Sequence, residues 1–256
     1  MNSLGIIRNR ADYGGGILCS YFSSPVIGDN TITGNTAVIE GGAIGALTGV
    51  SPTLVNCIIW ADSAGGENPE IYCDGSSEIV VAYSDIEGGY EGEGNIDAYP
   101  LFLLPEKRDY RLFWGSPCID TGHPDSLDPD GSRSDMGAYT FDQSMPITIY
   151  LTPDTTVYHR KEYLGVTYTV INIDPDPIPF SLRTDVYLPS GKPYPGNPVV
   201  GPKGITLPGG TTRQRKIKHY IPGGAPLGVY IYLCTLNGVL YNDVIDEDSF
   251  EFVVEQ

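Results

Sequence analysis

Basic side chains are scarce in this chain. Fifteen Lys and Arg stand against 32 Asp and Glu, a formal net charge of −17. Up to residue 106 the only basic side chains are Arg8 and Arg10. So acidic a chain is repelled by nucleic acid and by anionic membrane surfaces, which excludes both partner classes. The same scarcity argues against a polyuronate lyase groove, which sets cations or calcium and a Lys or Arg base beside an anionic substrate, though a lyase stays with a glycosidase among the alternatives. Histidines number three and lie far apart, and no GxSxG occurs, so a nucleophilic triad has no support. The five cysteines (19, 57, 73, 118 and 234) form no CxxC pair and offer no zinc-ligand spacing. They read as small buried hydrophobes, with one disulfide left open for a secreted protein. No run is long and apolar enough to span a bilayer, and MNSLGIIRNRADYGGG lacks the apolar core of a signal peptide. The expectation is a piece of a longer secreted precursor. An amphipathic helical period is missing too.

What is present is Gly (32), Pro (21) and Tyr (18), in a chain that is still 41% hydrophobic. This composition fits many short strands joined by tight turns, and an all-β fold. The first third also repeats. Ile6, Ile32, Ile59 and Ile86 are separated by 26, 27 and 27 residues. GGGI at Gly14–Ile17 returns as GGAI at Gly41–Ile44, and Ser24-Pro25 returns as Ser51-Pro52. A period of this size signals stacked supersecondary units. Each unit holds about three short β runs separated by Gly, Asn or Ser-Pro. Strands stack about 4.8 Å apart, so a segment that returns to its start one spacing higher is a coil of a parallel β-helix. Four rungs are expected. The four isoleucines would form an inward column, and Asn9 and Asn35, in equivalent turns, would share amide hydrogen bonds along it. Gly14–Gly16 and Gly41–Gly42 read as tight corners rather than a phosphate cradle, because no helix or GK[ST] follows.

Beyond the rungs stand YSDIEGG (Tyr83–Gly89), GEGNIDAYPLF (Gly92–Phe102), DYRL (Asp109–Leu112), GSPCIDTG (Gly115–Gly122) and DPDGSRSDMGAY (Asp128–Tyr139). In that order they resemble the C-terminal end of right-handed β-helix proteins that carry a choice-of-anchor Q region. The resemblance covers residues 1–142. It implies a secreted or surface-attached bacterial protein, with Leu101–Asp142 as the C-terminal cap. Tyr99 and Thr140 stand where that family often has acidic residues, which puts any metal site built on those acids in doubt here.

A turn-rich junction at Asp142–Pro146 leads into period-two alternation broken by Pro and Gly. The candidate strands are ITIYLTPD, EYLGVTYTVIN, FSLRTDVYLPSG, GITLPGG, RQRKIKHYIPG, GVYIYLCTL and DSFEFVVEQ. Phe180, Leu182, Val186 and Leu188 mark one inward face, with Ile217, Ile221, Phe250, Phe252 and Val254 on others. Seven short strands suit an immunoglobulin-like or fibronectin-like sandwich. TPDTTVY, TDVYLPSGKPYPGNPVVGP and IPGGAPLGVYIY are similar to a sandwich appended to many secreted bacterial proteins. The domains expected are therefore a β-helix with its cap over 1–144 and a seven-stranded β-sandwich over 145–256. Arg213, Arg215, Lys216 and Lys218 alternate between strand faces, so they read as a solvated strand with edge-protecting charge.

Candidate chemistry is confined to carboxylates. Asp85 and Glu87 flank inward Ile86 and are expected to point outward on one face. They are either solvated or a glycosidase pair, which needs two carboxylates across the scissile bond. Asp128, Asp130 and Asp135 lie in DPDGSRSD, where oxygen ligands on a short turn suit calcium and Asx-turns are the alternative. Asp243, Asp246, Glu247 and Asp248 pose the same choice. Tyr13, Tyr21, Phe22, Trp60 and Tyr90 are candidates for stacking on sugars. The first rung lacks a polar cap, so further rungs or a second copy stacked end-on are expected to cover it, the latter building a filament. The reading is a non-catalytic, extracellular structural or adhesive protein of a bacterial surface. The alternatives are a fragment of a carbohydrate-active β-helix enzyme and a carbohydrate-binding module, both with polysaccharide as partner.

Overall fold

The computed structural model describes residues 4–239 and 243–256. The chain is all-β and divides into two compact units, one of residues up to 105 with 110–143, the other of 106–109 with 144–256.

The first unit is a β-solenoid of about three turns. One coil contributes β1 (Leu4–Ile7), β2 (Arg10–Tyr13), β3 (Ile17–Ser20) and β4 (Val26–Gly28). The next contributes β5 (Asn30–Thr33), β6 (Thr36–Glu40), β7 (Ile44–Leu47) and β8 (Thr53–Val55). The third holds β9 (Ile58–Trp60), β10 (Ser63–Ala64), β11 (Ile71–Cys73) and β12 (Val80–Ala82), and β13 (Asp85–Ile86) opens a fourth. Every pairing between coils is parallel, in stacks β1-β5-β9-β13, β2-β6-β10, β3-β7-β11 and β4-β8-β12. Only the first stack has four strands, so the four rungs expected amount to about three turns. The count of isoleucines numbers strands in one stack, which is one more than the turns between them.

The isoleucine column is real: Ile6 pairs with Ile32, Ile32 with Ile59, and Ile59 with Ile86. Ile32, Ile59 and Ile86 are fully buried. Beside it runs a polar ladder. Asn9 Nδ2 donates to Asn35 Oδ1 (3.0 Å), and Asn35 Nδ2 donates to Asp62 Oδ1 (2.8 Å). The backbone N–H groups of Asn9 and Asn35 donate to the same two oxygens. The turn amides of successive coils are thus satisfied inside the stack, as buried polar groups require. Gly14 and Gly41 take φ of +58° and +69°, and a Cβ on either would meet backbone within 2.3 Å. The N–H groups of Gly14, Gly15 and Gly16 donate to carbonyls of the next coil, which leaves none of them for a phosphate.

The solenoid closes where the column ends. The loop after β13 returns Ile96 to bridge Asp85, Asn95 Oδ1 accepts from Ser84 N (3.1 Å), and Tyr90 packs on the core. This ten-residue loop caps the last coil. The segment expected as a cap, Leu101–Asp142, also packs against the side of the coils. After β14 (Phe102–Leu104), a 3₁₀ turn (Pro105–Lys107) and β15 (Asp109–Leu112), the chain runs back along the outer face of β13, β9 and β5. Cys118 Sγ donates to Asp85 Oδ2, Gly137 N to Asn56 O, and Ala138 N to Thr31 Oγ1. Thr31, Ile58 and Asp85 share the outward column of this sheet, yet all are buried. All five cysteines are free.

The second unit holds β16 (Ile147–Pro153), β17 (Val157–His159), β18 (Tyr163–Asn172), β19 (Ile178–Tyr187), β20 (Val200–Leu207), β21 (Thr211–Tyr220), β22 (Gly228–Gly238) and β23 (Val244–Glu255). They form a three-stranded sheet, β16-β18-β21, and a five-stranded sheet, β17-β23-β22-β19-β20. The strands number eight among the described residues, not the seven expected. Three-residue β17 is too short to show alternation, and it is held by parallel pairing to β23 and by buried Tyr158. Phe180, Leu182, Val186, Phe252 and Val254 are buried in one core shared by both sheets, while Leu188, Ile217 and Phe250 pack against it half-buried.

Truncating the column tests its weight. Ile59→Ala should cost about 3 kcal/mol in urea unfolding, whereas Val80→Ala, on a half-exposed outward position, should change stability by less than about 0.5 kcal/mol.

Candidate functional site

Asp85 does not point into solvent. It is fully buried, because the returning segment covers its sheet face. Its Oδ1 accepts from Ala98 N (3.1 Å) and its Oδ2 from the Cys118 thiol (3.2 Å). Burial pushes its pKa up to about 6, against the lowering pull of those two donors. Glu87 is exposed, and its Oε2 accepts from Ala61 N (2.7 Å). The expected shared outward face is corrected: β13 ends at Ile86, so Glu87 leaves the sheet for a solvated turn while Asp85 stays beneath the cover. The two carboxylates do not flank an open cleft.

The acidic turn is likewise occupied by the chain itself. Asp128 Oδ2 accepts from Asp135 N (2.9 Å). Asp130 Oδ1 accepts from Ser132 N and Oγ, and its Oδ2 from Gln143 N (2.8 Å). Asp135 Oδ1 and Oδ2 accept from Asp120 N and Phe141 N (2.8 and 2.7 Å). Among the described residues no three His, Cys, Asp or Glu side chains converge on a cation position. Asp128, Asp130 and Asp135 thus make local turns, their oxygens accepting from backbone N–H groups of an irregular segment. Burial raises the pKa of Asp135, helped by the charges of Asp128 and Asp120. In the second acidic run, Asp246 accepts from Thr148 Oγ1 and Ile149 N, and Asp248 from Leu151 N, which ties β23 to β16.

One pair of carboxyls escaped the sequence reading. Asp62 and Glu70 are both nearly buried, at 7% and 6% exposure, and Asp62 N donates to Glu70 Oε1 (3.2 Å). Asp62 Oδ2 and Glu70 Oε2 are the oxygens left without a donor. Burial raises both pKa values, Glu70 further because the Asp62 charge adds to it. Asp62 follows Asn35 by the repeat interval, so extending the asparagine ladder by one coil would have found it. Glu70 has no such signal.

The exposed aromatics separate. Tyr21 and Phe22 are each 81% exposed on consecutive left-handed residues. Tyr13 is half-buried with its ring 6.0 Å from Tyr72, Trp60 lies edge-on to Tyr99 at 6.0 Å, and Tyr90 faces inward. In the second unit Arg213 and Arg215 do share one side of β21, lining a cavity of about 460 Å³ with Lys203, while Lys216 pairs with Asp154 (2.7 Å).

No protein-family model matches the chain, and no curated protein matches it. Solved structures similar to it include the alkylpurine DNA glycosylase AlkC of Pseudomonas fluorescens bound to DNA (14% identity, TM-score 0.35, 44% of this chain and 31% of that one). The sporulation control protein Spo0M of Bacillus subtilis is similar at 13% identity and TM-score 0.34, over 43% of this chain and 50% of that one. A CARDB domain from Pyrococcus furiosus in complex with di-metal ions is similar at 17% identity and TM-score 0.30, over 42% of this chain and 91% of that domain. The chain thus spans half or less of the first two, and none of the three assigns a role to a residue here.

Asp85 gives a pH signature. Its folded pKa lies above the ordinary aspartate value near 3.9, so its stabilisation is full below about pH 4 and is lost as pH rises through about 6. Between pH 4 and 7 the parent should lose on the order of 2 kcal/mol more stability than Asp85→Asn in urea melts. Parallel curves would show that Asp85 titrates as if exposed.

Proposed function

We propose that this is a non-catalytic structural or adhesive protein, of choice-of-anchor Q type, displayed outside a bacterial cell. The observation that carries the reading is the use made of the solenoid's carboxylates. Asp85, Asp128, Asp130 and Asp135 accept hydrogen bonds from the chain's own backbone or thiol groups. A glycosidase keeps its two carboxyl groups free across an open cleft. The resemblance carried by YSDIEGG, GSPCIDTG and DPDGSRSDMGAY supports the surface location, and a net charge of −17 suits a solvated exterior.

The second unit is read as an immunoglobulin-like sandwich. Its two sheets, β16-β18-β21 and β17-β23-β22-β19-β20, correspond to a Greek-key sandwich with one added edge strand on the larger sheet. Exposed Tyr21 and Phe22 favour the adhesive variant of the reading, since aromatic faces stack on sugar rings. Strands β1 to β4 are each paired on one side only among the described residues. Such an edge is a template for another β-coil, and in this proposal it is covered either by further coils of a longer protein or by a second copy stacked end-on. A heterologous contact of that kind builds filaments rather than rings.

Two measurements test the reading. Incubated with a panel of neutral and acidic polysaccharides, the chain should release no reducing ends; release that Asp85→Asn abolishes would establish the enzyme instead. Light scattering should show mass rising with concentration, with rod-shaped particles in electron micrographs. A monomer persisting to high concentration would contradict end-on assembly.

A further inference from the structure

The second unit contains a cavity of about 680 Å³ that enters between its two sheets. Its floor is built from core side chains, with Leu164 on β18, Val186 on β19 and Phe252 and Val254 on β23, all buried. Its rim is exposed and includes Tyr194, Tyr220 and Gly224. A sandwich core packed to ordinary density leaves no such space. The volume lies within the range of small-molecule sites, and so does the design of apolar walls with few placed polar groups.

The polar group is specific. His219, half-buried on β21, lines the cavity, and its Nε2 lies 2.7 Å from the Tyr232 hydroxyl. Tyr232 OH lies 2.5 Å from Tyr168 OH, which lies 3.0 Å from Thr184 Oγ1. Tyr232 and Thr184 are fully buried, and Tyr232 lines the cavity beside His219, so this chain of hydroxyls ends at the cavity. Nδ1 of His219 makes no hydrogen bond among the described residues. Burial lowers the His219 pKa, which favours the neutral ring. With Nε2 engaged by a hydroxyl, Nδ1 is a donor in one tautomer and an acceptor in the other. A ligand hydroxyl serves either. A carboxylate serves only one, and the cation in the lining, Lys218, is exposed rather than on the apolar floor. A sugar would leave most of its hydroxyls unpaired against these walls.

We infer that the second unit binds an uncharged, largely apolar small molecule carrying one hydroxyl, seated between the sheets with that hydroxyl at His219 Nδ1. The site is separate from the solenoid and does not rest on the adhesive reading.

The test uses the full chain and the neutral fluorophore 1-aminoanthracene. The expected result is saturable 1:1 binding with a blue-shifted emission, displaced at least tenfold more effectively by 1-decanol than by decanoate. Leu188→Trp and Val199→Trp, at half-buried lining positions, should each weaken probe binding at least tenfold while keeping the parent's circular dichroism and melting profile. Val229→Trp, exposed and outside the lining, should bind as the parent does. His219→Ala should weaken displacement by 1-decanol about fivefold relative to the probe's own affinity for that variant, and displacement unchanged on that scale would overturn the contact at Nδ1. Absence of saturable binding to the parent overturns the inference. So does binding that either folded cavity-filling variant leaves intact, which would place the probe elsewhere, and so does preference for decanoate.

Discussion

The first unit depends on one constraint: each coil must return the chain to the same place one strand spacing higher. The repeat interval meets it. It puts Ile6, Ile32, Ile59 and Ile86 in one column and Asn9, Asn35 and Asp62 in another. A slip of one residue in a parallel stack would turn the isoleucines outward and bring polar neighbours inside. The polar ladder guards against that slip, because Asn35 Oδ1 and Asp62 Oδ1 each accept from both the side chain and the backbone N–H of the ladder residue one coil before. Gly14 and Gly41 do the same at another corner, where no residue with a Cβ fits.

Register inside the coils dictates chemistry outside them. The stack β1-β5-β9-β13 has an outward column, Gly5, Thr31, Ile58 and Asp85. A returning segment packs on it, with Cys118, Met136 and Phe141 buried in that layer. Asp85 is thereby removed from solvent and made a structural acceptor whose charge is costly. The Asp62–Glu70 pair is the interior counterpart. It ends the polar ladder with a carboxyl that the ladder's donors need, and a second buried carboxyl accepts from the Asp62 N–H. At Asp85 an acidic side chain that reads as chemistry in one dimension is consumed by the fold in three.

The repeating part of the fold was legible because a period is a one-dimensional signal with a direct geometric meaning. Strands β16, β18, β19, β22 and β23 were legible for the same reason, since alternation over seven or more residues marks a buried face. Three things were hidden. Tyr158 and its three-residue strand carry too little pattern to see. The path of residues 98–141, which has almost no regular structure, follows from long-range contacts such as Ala138 to Thr31, and no local rule reaches across that separation. Burial of Asp85 depends wholly on that path, so alternation alone sent it to the surface. The cavity beside His219 was hidden as well, because an unfilled volume between two sheets leaves no mark on either strand's pattern.

The register is tested most directly by cross-linking across it. Thr36 and Ser63 are aligned on neighbouring strands of adjacent coils, with hydroxyls 3.0 Å apart at an exposed position. Neighbouring parallel strands place Cα atoms at a separation that a disulfide spans. The double variant Thr36→Cys, Ser63→Cys should oxidise to an intramolecular bond nearly to completion, read by peptide mass spectrometry, while Thr36→Cys, Ser76→Cys should not. No bond in the first variant, or equal yields in both, would contradict the stacking on which the account of this protein stands.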